Sequence, residues 1–195
     1  MLFRSGCLEE FKKQNLVPLA GWTTSQYYLA CTQPFTKVED LKGKRIRGQG
    51  GPAQLWELAG AVPVSATLPE AVTLLQRGGL DCMHTTYTWL QTFGYGDFAK
   101  NLLDVPMSLS GPAVGLMLNR DTWNKFTPAQ KTIHLKKAAF LSANIAIEEF
   151  TTDNQANLEK VIKEKGVKVI PVEQAGFKAL RSEEHTSELQ SRLHL

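Results

Sequence analysis

The sequence predicts an α/β protein, and three features carry that expectation. Between Lys44 and Thr85, short β-rich runs alternate with helical segments in the order β-α-β-α-β with tight connections. That is the pattern of layered structure over a mostly parallel sheet. From Pro128 neither proline nor glycine interrupts the chain until Gly166, so a long helix is expected there. Finally, the 195 residues are 43% hydrophobic and carry 22 Lys+Arg against 19 Asp+Glu, enough apolar mass for a core and too mixed a charge for disorder.

The elements follow in order. Leu8 to Asn15 reads as a short helix closed off by Pro18, and Leu16–Trp22 and Tyr27–Thr32 read as β-runs separated by a Thr-Thr-Ser turn. Thr36–Leu41 fits a single helical turn ending in Gly43, and Lys44–Gly48 a short strand that leads into a Gly-Gln-Gly-Gly loop. Pro52 opens a helix to Leu58 or Ala59, because proline is pre-set for the first helical turn. Val62–Val64 is a strand, Leu68–Arg77 a helix stopped by Gly78-Gly79, and Leu80–Thr85 a strand. Phe98–Leu102 is expected to be helical, with Leu103–Val105 and Val114–Leu118 as strands around the Gly111-Pro112 turn. Thr127-Pro-Ala-Gln130 is a capping box, and Gly166 follows Lys163 and Lys165 as a C-terminal cap should. Residues 128–165 would make one helix of about 38 residues, ~57 Å at 1.5 Å per residue. Such a helix must cross more than one lobe or kink. Val167–Val172 ends the series as a strand.

Several function classes are excluded. A net charge of +3 without a basic run longer than Lys44-Arg45 argues against nucleic acid, and no apolar stretch approaches the roughly 20 residues that span a bilayer. Met1–Cys7, MLFRSGC, only superficially suggests a lipoprotein leader. No apolar segment precedes the cysteine, so no secretion signal is read. Cys7, Cys31 and Cys82 lack metal-site spacing and cannot all pair; a disulfide framework is not expected, while a single bridge stays open. Composition shifts abruptly at Arg181, and RSEEHTSELQS (181–191) resembles the in-frame translation of a widely used sequencing adapter. Residues 181–195 are therefore expected to be non-native, leaving 1–180 as the protein proper.

The segment from Asp40 to Gly50, DLKGKRIRGQG, is the richest in chemistry. In a strand Arg45 and Arg47 face one way, and Arg47 leads into a glycine loop and a helix start. A fixed guanidinium beside free backbone N–H groups suits a carboxylate or phosphate. The same loop fits the weak dinucleotide pattern Gly48-x-Gly50-x-x-Ala53 with Glu70 downstream, the basis of an alternative reading as a nucleotide-dependent oxidoreductase. The charged strand KRIR argues against it, since a nucleotide-binding first strand is apolar. Enzyme chemistry is poorly supported: His84 and His134 are the only histidines before the tail, and no serine elbow, HExxH or CxxC occurs. No metal or cofactor is expected. Trp22, Tyr27, Tyr28, Tyr87, Trp89, Phe93 and Tyr95 are expected near strand ends and loops, where some would line a cleft.

Taken in order, Pro34, Glu39–Arg47 (EDLKGKRIR), Gly60–Pro63, Pro69-Glu70, Leu75–Asp81 (LQRGGLD), Asn119–Trp123 and the helix from Thr127 resemble the solute-binding proteins of tripartite ATP-independent periplasmic (TRAP) transporters, the dicarboxylate-receptor (DctP-like) family. The resemblance spans roughly residues 7–175. It implies a type II-like periplasmic binding fold with two interleaved lobes, incomplete here, and one long helix crossing both. It implies non-catalytic capture of a small organic acid and delivery to membrane transporter subunits. Arg47 matches the family arginine that pairs with the ligand carboxylate.

Other positions depart from the family pattern. Thr85 stands where many members place an asparagine, Tyr27 where a second arginine is common, and Leu68 where an aromatic is frequent. One carboxylate clamp survives, which favours a monocarboxylate or a more apolar acid over a dicarboxylate. Trp22, Tyr87 and Trp89 complete the candidate pocket walls. The family also carries an export signal and a first βα portion that do not precede Met1. The chain is thus expected to be an N-terminally truncated piece of a periplasmic parent.

Overall fold

The computed structural model describes residues 5–22, 25–49, 51–109, 114–152 and 155–182. Two compact units emerge: Met1–Ser25 with Leu109–Thr152, and Gln26–Ser108 with Asp153–Leu195. The chain passes between them three times, so the units are interleaved in sequence.

In the first unit, helix α1 (Ser5–Lys13) ends before Asn15, whose φ of 58° lies in the left-handed region. The chain then enters strand β1 (Leu16–Trp22). Pro18, expected to close the helix, instead lies inside β1. The pairing slips between Pro18 and Ala20, as expected where proline has no N–H to give the ladder.

The rest of the first unit comes from the later segment and follows the strands and helices of the second unit in sequence. Those are β2 (Gln26–Cys31), β3 (Arg45–Arg47), α2 (Gly51–Leu58), β4 (Val62–Val64), α3 (Leu68–Gln76), β5 (Cys82–Thr85), α4 (Tyr87–Thr92), β6 (Asn101–Leu103) and β7 (Ser108–Leu109). Strand β8 (Val114–Asn119) then pairs antiparallel with β1, from Leu16↔Asn119 to Trp22↔Val114. Asn119 caps α5 (Arg120–Asn124) by accepting from the N–H groups of Asp121 and Thr122. Helix α6 (Pro128–Thr152) begins at the expected capping box, Thr127 N–H donating to Gln130 Oε1 at 2.9 Å and Gln130 N–H to Thr127 Oγ1 at 3.3 Å. It packs on β1 through Ala138, buried with Leu19 and Ala20, and through Ser142 Oγ, which accepts from Gly21 N–H at 3.2 Å.

The anticipated 38-residue helix is described as two helices, α6 and α7 (Gln155–Lys165), with the boundary between the units falling after Thr152. Gly166 ends α7 at φ 65°, its N–H donating to Ile162 O at 2.9 Å. This is the αL cap that the sequence signals. Strand β9 (Lys168–Ile170) follows, and residues 174–182 are helical.

In the second unit the strand order is β4-β3-β5-β2-β6-β9, with β7 against β2. β3 runs parallel to β4 and β5, and β6 parallel to β9, while β2 is antiparallel to both neighbours. The sheet is mixed rather than mostly parallel. Strand alternation sends Leu29, Ile46 and Cys82 to one core with Leu55 and Trp56 of α2. It sends Ala30, Met83 and Leu102 to the other, with Leu90 and Tyr95.

Two expectations fail here. Phe98–Leu102 is not helical: Asn101–Leu103 is a fully interior strand, Leu102 pairing with Ala30 and Val169, and the Asn101 amide donating to Cys31 O and Thr32 O at 3.3 and 3.1 Å. Tertiary pairing on both edges overrides local propensity. Tyr87 and Trp89 are not on a loop but on α4, nucleated by Thr86, whose Oγ1 accepts from Trp89 N–H at 3.3 Å.

Cys31 and Cys82, directly opposite each other on β2 and β5, form a disulfide. This selects the one bridge that three cysteines left open.

Candidate functional site

Because β3, β4 and β5 are parallel, their carboxyl ends lie on one edge of the sheet, and the antiparallel β2 starts on that same edge. Open α/β sheets bind ligands outside such an edge. Arg47 is the last residue of β3 and is half-buried. Its Nε donates to Ala66 O at 3.0 Å, and among the described residues no carboxylate is within ion-pair distance of it. Arg45 behaves differently: it grips Asp81 through Nε at 3.1 Å and Nη2 at 3.0 Å. That hydrogen-bonded pair holds the Asp81 carboxyl below the usual carboxylate range. The two arginines face one way as expected, yet only Arg47 keeps its charge unanswered.

Ala66 O is a shared acceptor, for Gln49 Nε2 also reaches it at 3.3 Å and Ser65 Oγ at 3.2 Å. These bonds fix the β4–α3 loop against the Arg47 end of β3. The loop ends in the α3 capping box, where Thr67 N–H and Oγ1 each donate to Glu70 Oε2 at 2.8 Å. Those donors hold the Glu70 carboxyl below its usual range. Glu70, the acid that a dinucleotide reading needs for a ribose, is thereby already committed to its own helix.

Rings gather near this end of the sheet, on both of its faces. Tyr27 packs on His84 with centroids 4.7 Å apart and meets Trp89 edge-on at 5.5 Å. Trp56 meets His84 edge-on at 5.4 Å, and Tyr28 stacks on Tyr87 at 4.4 Å. Tyr95 donates from its OH to Leu68 O at 3.1 Å, which joins the candidate wall at Leu68 to the core. Thr85 is fully buried with Oγ1 donating to Thr86 O at 3.2 Å, leaving its oxygen lone pairs as acceptors rather than the amide donor of an asparagine. Arg47, Thr85, Tyr27, Tyr87, Trp89 and Leu68 thus all belong to the second unit. Trp22 belongs to the first, half-buried beside Leu19, Ala20 and Ala138. Gly50 of the expected anion loop lies outside the described residues.

Three further rings lie near this end of the sheet, of which the sequence marked only Tyr95 as a cleft aromatic. His84 is only 4% exposed, and burial, with the nearby Arg47 charge adding to it, pushes its imidazole down to about 3. Burial pushes the Tyr95 phenol up to about 12, with Arg47 opposing. Both rings are neutral at neutral pH. Trp56 is the third. It could have been found from Gly48: a Cβ there would lie 3.0 Å from Trp56 Cδ1 and 3.1 Å from Ala53 N, so glycine marks where β3 and α2 touch.

His84 makes stability pH-dependent. Unfolded, it takes a proton near its ordinary 6.5; folded, not until about 3. The unfolded state therefore binds more protons in that window, and stability rises with pH across it. The His84 contribution is fully present above about 6.5 and is lost progressively as pH falls toward 3. Melting curves between pH 7.5 and 4.5 should show a shallower pH slope in His84→Gln than in the parent; equal slopes would refute the assignment.

Comparison with known proteins agrees with this architecture. Residues 3–188 match the family model described as bacterial extracellular solute-binding protein, family 7. A curated relative from Salmonella typhimurium, described as uncharacterized protein YiiZ, is 29% identical over 140 residues, covering 69% of this chain and 41% of the relative. A TRAP periplasmic solute-binding protein from Xanthobacter autotrophicus with bound β-D-galacturonate superposes with a TM-score of 0.79 at 26% identity, over 93% of this chain and 60% of that one. DctP7 of Bordetella pertussis, a receptor binding pyroglutamic acid, gives 0.85 at 19% identity over 97% and 62%. A Rhodoferax ferrireducens protein with bound malonate gives 0.79 at 19% over 92% and 57%. The chain thus spans less than two thirds of the length of these relatives. With a family model that covers nearly all of it and a sheet edge built around one unpaired arginine, the chain belongs to family 7 of the bacterial extracellular solute-binding proteins.

Proposed function

We propose that this chain is the ligand-holding part of an extracytoplasmic receptor of a TRAP transporter, which captures a small organic acid without transforming it and delivers it to membrane subunits. The observation that carries the reading is Arg47, half-buried, anchored through one nitrogen and free of any carboxylate among the described residues. A carboxylate is the natural complement, because two parallel N–H···O bonds to a guanidinium give both strength and orientation. The acids named for the three solved relatives all carry that group. With His84 and Tyr95 neutral, one positive charge faces the ligand, which favours a monocarboxylate with an aromatic or apolar body packed on Tyr27, Trp89 and Tyr87.

An extracytoplasmic setting is supported by the Cys31–Cys82 bond, since such bonds persist in oxidising compartments. No helix among the described residues is long and apolar enough to cross a membrane. We also infer that residues 181–195, whose sequence resembles a sequencing adapter, are not native to the protein; residues 183–195 lie outside the described residues. The oxidoreductase alternative is disfavoured by the family assignment and by the commitment of Glu70 to its cap.

A thermal-shift screen of organic acids, with NAD and NADP alongside, tests the reading. A monocarboxylate at 100 times its dissociation constant should stabilise the protein by about 2.7 kcal/mol, and the dinucleotides should do nothing. A dinucleotide shift without any carboxylate shift would overturn it.

A further inference from the structure

Arg47 is anchored through Nε alone: that atom donates to Ala66 O at 3.0 Å, and the two Nη groups bond nothing among the described residues. The acceptor therefore sets which way the guanidinium points. Ala66 O belongs to the two residues, Ser65 and Ala66, that join the end of β4 to the Thr67 cap of α3. On the β4 side the last backbone bond runs from Gly48 N–H to Val64 O at 3.3 Å, one residue beyond the Arg47↔Val64 register. On the α3 side Thr67 is tied to Glu70. Between those fixed points a side chain takes over where the backbone ladder stops. Gln49 Nε2 donates to Ser65 Oγ at 3.2 Å and to Ala66 O at 3.3 Å, across 16 and 17 residues of sequence. A carbonyl oxygen has two lone pairs, and Ala66 O gives one to Arg47 and the other to Gln49. Gln49 is exposed, yet both of its bonds converge on the residue pair that carries the arginine's acceptor.

We infer that Gln49 is a positioning residue for the ligand carboxylate: by fixing Ala66 O it orients the Arg47 guanidinium so that its two Nη groups are presented end-on. This rests on the proposed Arg47 site and deepens it. Arg45 shows the alternative, a side-on fork of Nε and Nη2 on the Asp81 carboxylate. At Arg47 that fork is closed, because Nε is already engaged, and the end-on fork remains. Two parallel bonds to a carboxylate depend on the plane of the guanidinium. A guanidinium held in that plane beforehand loses less freedom when the ligand arrives. Gln49 meets Arg47 only through the shared oxygen, so it acts on orientation and leaves the charge untouched.

The test compares the whole chain with Gln49→Met, which keeps the stem of the side chain and removes its amide donor. Arginine Nε–H signals are followed by proton–nitrogen correlation NMR, Arg47 being identified by the signal lost in Arg47→Lys. Both proteins are also titrated calorimetrically with pyroglutamate, galacturonate, phenylacetate and any acid that scores in the thermal-shift screen. Solvent exchange of the Arg47 Nε–H should run several-fold faster in Gln49→Met, while the Arg45 Nε–H, held by Asp81, keeps its rate. Affinity should fall roughly threefold to tenfold, far less than in Arg47→Ala. A general loosening of the fold would quicken both arginines together, and that result overturns the inference. An Arg47 exchange rate indifferent to the substitution overturns it too, as does faster exchange with unchanged affinity; in each case the Arg47 reading stands. If no acid binds the parent, the Arg47 reading fails and this inference with it.

Discussion

Arg47→Ala should abolish carboxylate binding, with an affinity loss of at least about 100-fold, while the protein stays folded. The size follows from what the substitution leaves behind. A carboxylate brought to a partly desolvated sheet edge exchanges strong hydration for two charge-assisted bonds. Without the guanidinium it loses those bonds and still carries the desolvation cost, a penalty of about 3–5 kcal/mol for buried charged pairs. Discounting for the half-exposure of Arg47 leaves roughly 3 kcal/mol. Folding should be spared, because Arg47 makes one protein hydrogen bond, to Ala66 O, which Gln49 also reaches. Arg47→Lys should recover little, for an ammonium cannot form the planar two-bond fork. Calorimetric titration of whichever acid the screen identifies settles the matter: an Arg47→Ala protein that binds within threefold of the parent would mean that the carboxylate sits elsewhere.

The place of Arg47 at the end of a strand was legible in the sequence because its signal is local: a charged residue before a glycine loop needs only period-two geometry. The capping box at Thr127 and the αL glycine at Gly166 were legible for the same reason. What failed was whatever depends on partners distant in sequence. Asn101–Leu103 is a strand because Ala30 and Val169 flank it, and nothing in its own residues says so. His84 offered no local signal of a role, because Tyr27 and Trp56, which pack against its ring, come from distant segments. Only tertiary placement shows that this histidine is a buried, neutral ring.

Removing the Cys31–Cys82 bond should cost the most stability of any change away from the ligand. The bridge closes a loop of 51 residues that contains β3, α2, β4 and α3. Restricting a loop of that length in the unfolded chain is worth about 4 kcal/mol by chain entropy. A protein of this size loses about 2–4 °C of melting temperature per kcal/mol, so Cys31→Ala/Cys82→Ala should melt roughly 10 °C lower. Both sulfurs are fully buried, so reductant should reach them only through unfolding, and the native protein should resist mild reduction at 25 °C. The ligand site should suffer much less than the fold. The bridge sits at the end of the β2–β5 ladder away from the proposed ligand site, and the register from Tyr28↔Thr85 to Ala30↔Met83 is set by backbone pairing and by alternation of the two cores. Affinity measured well below the melting transition should therefore change little in the double variant. A melt unchanged within about 2 °C, the effect of well under 1 kcal/mol, would show that the two strands hold the loop closed without the bond. A large affinity loss with little stability loss would show instead that the bond positions Tyr27 and His84.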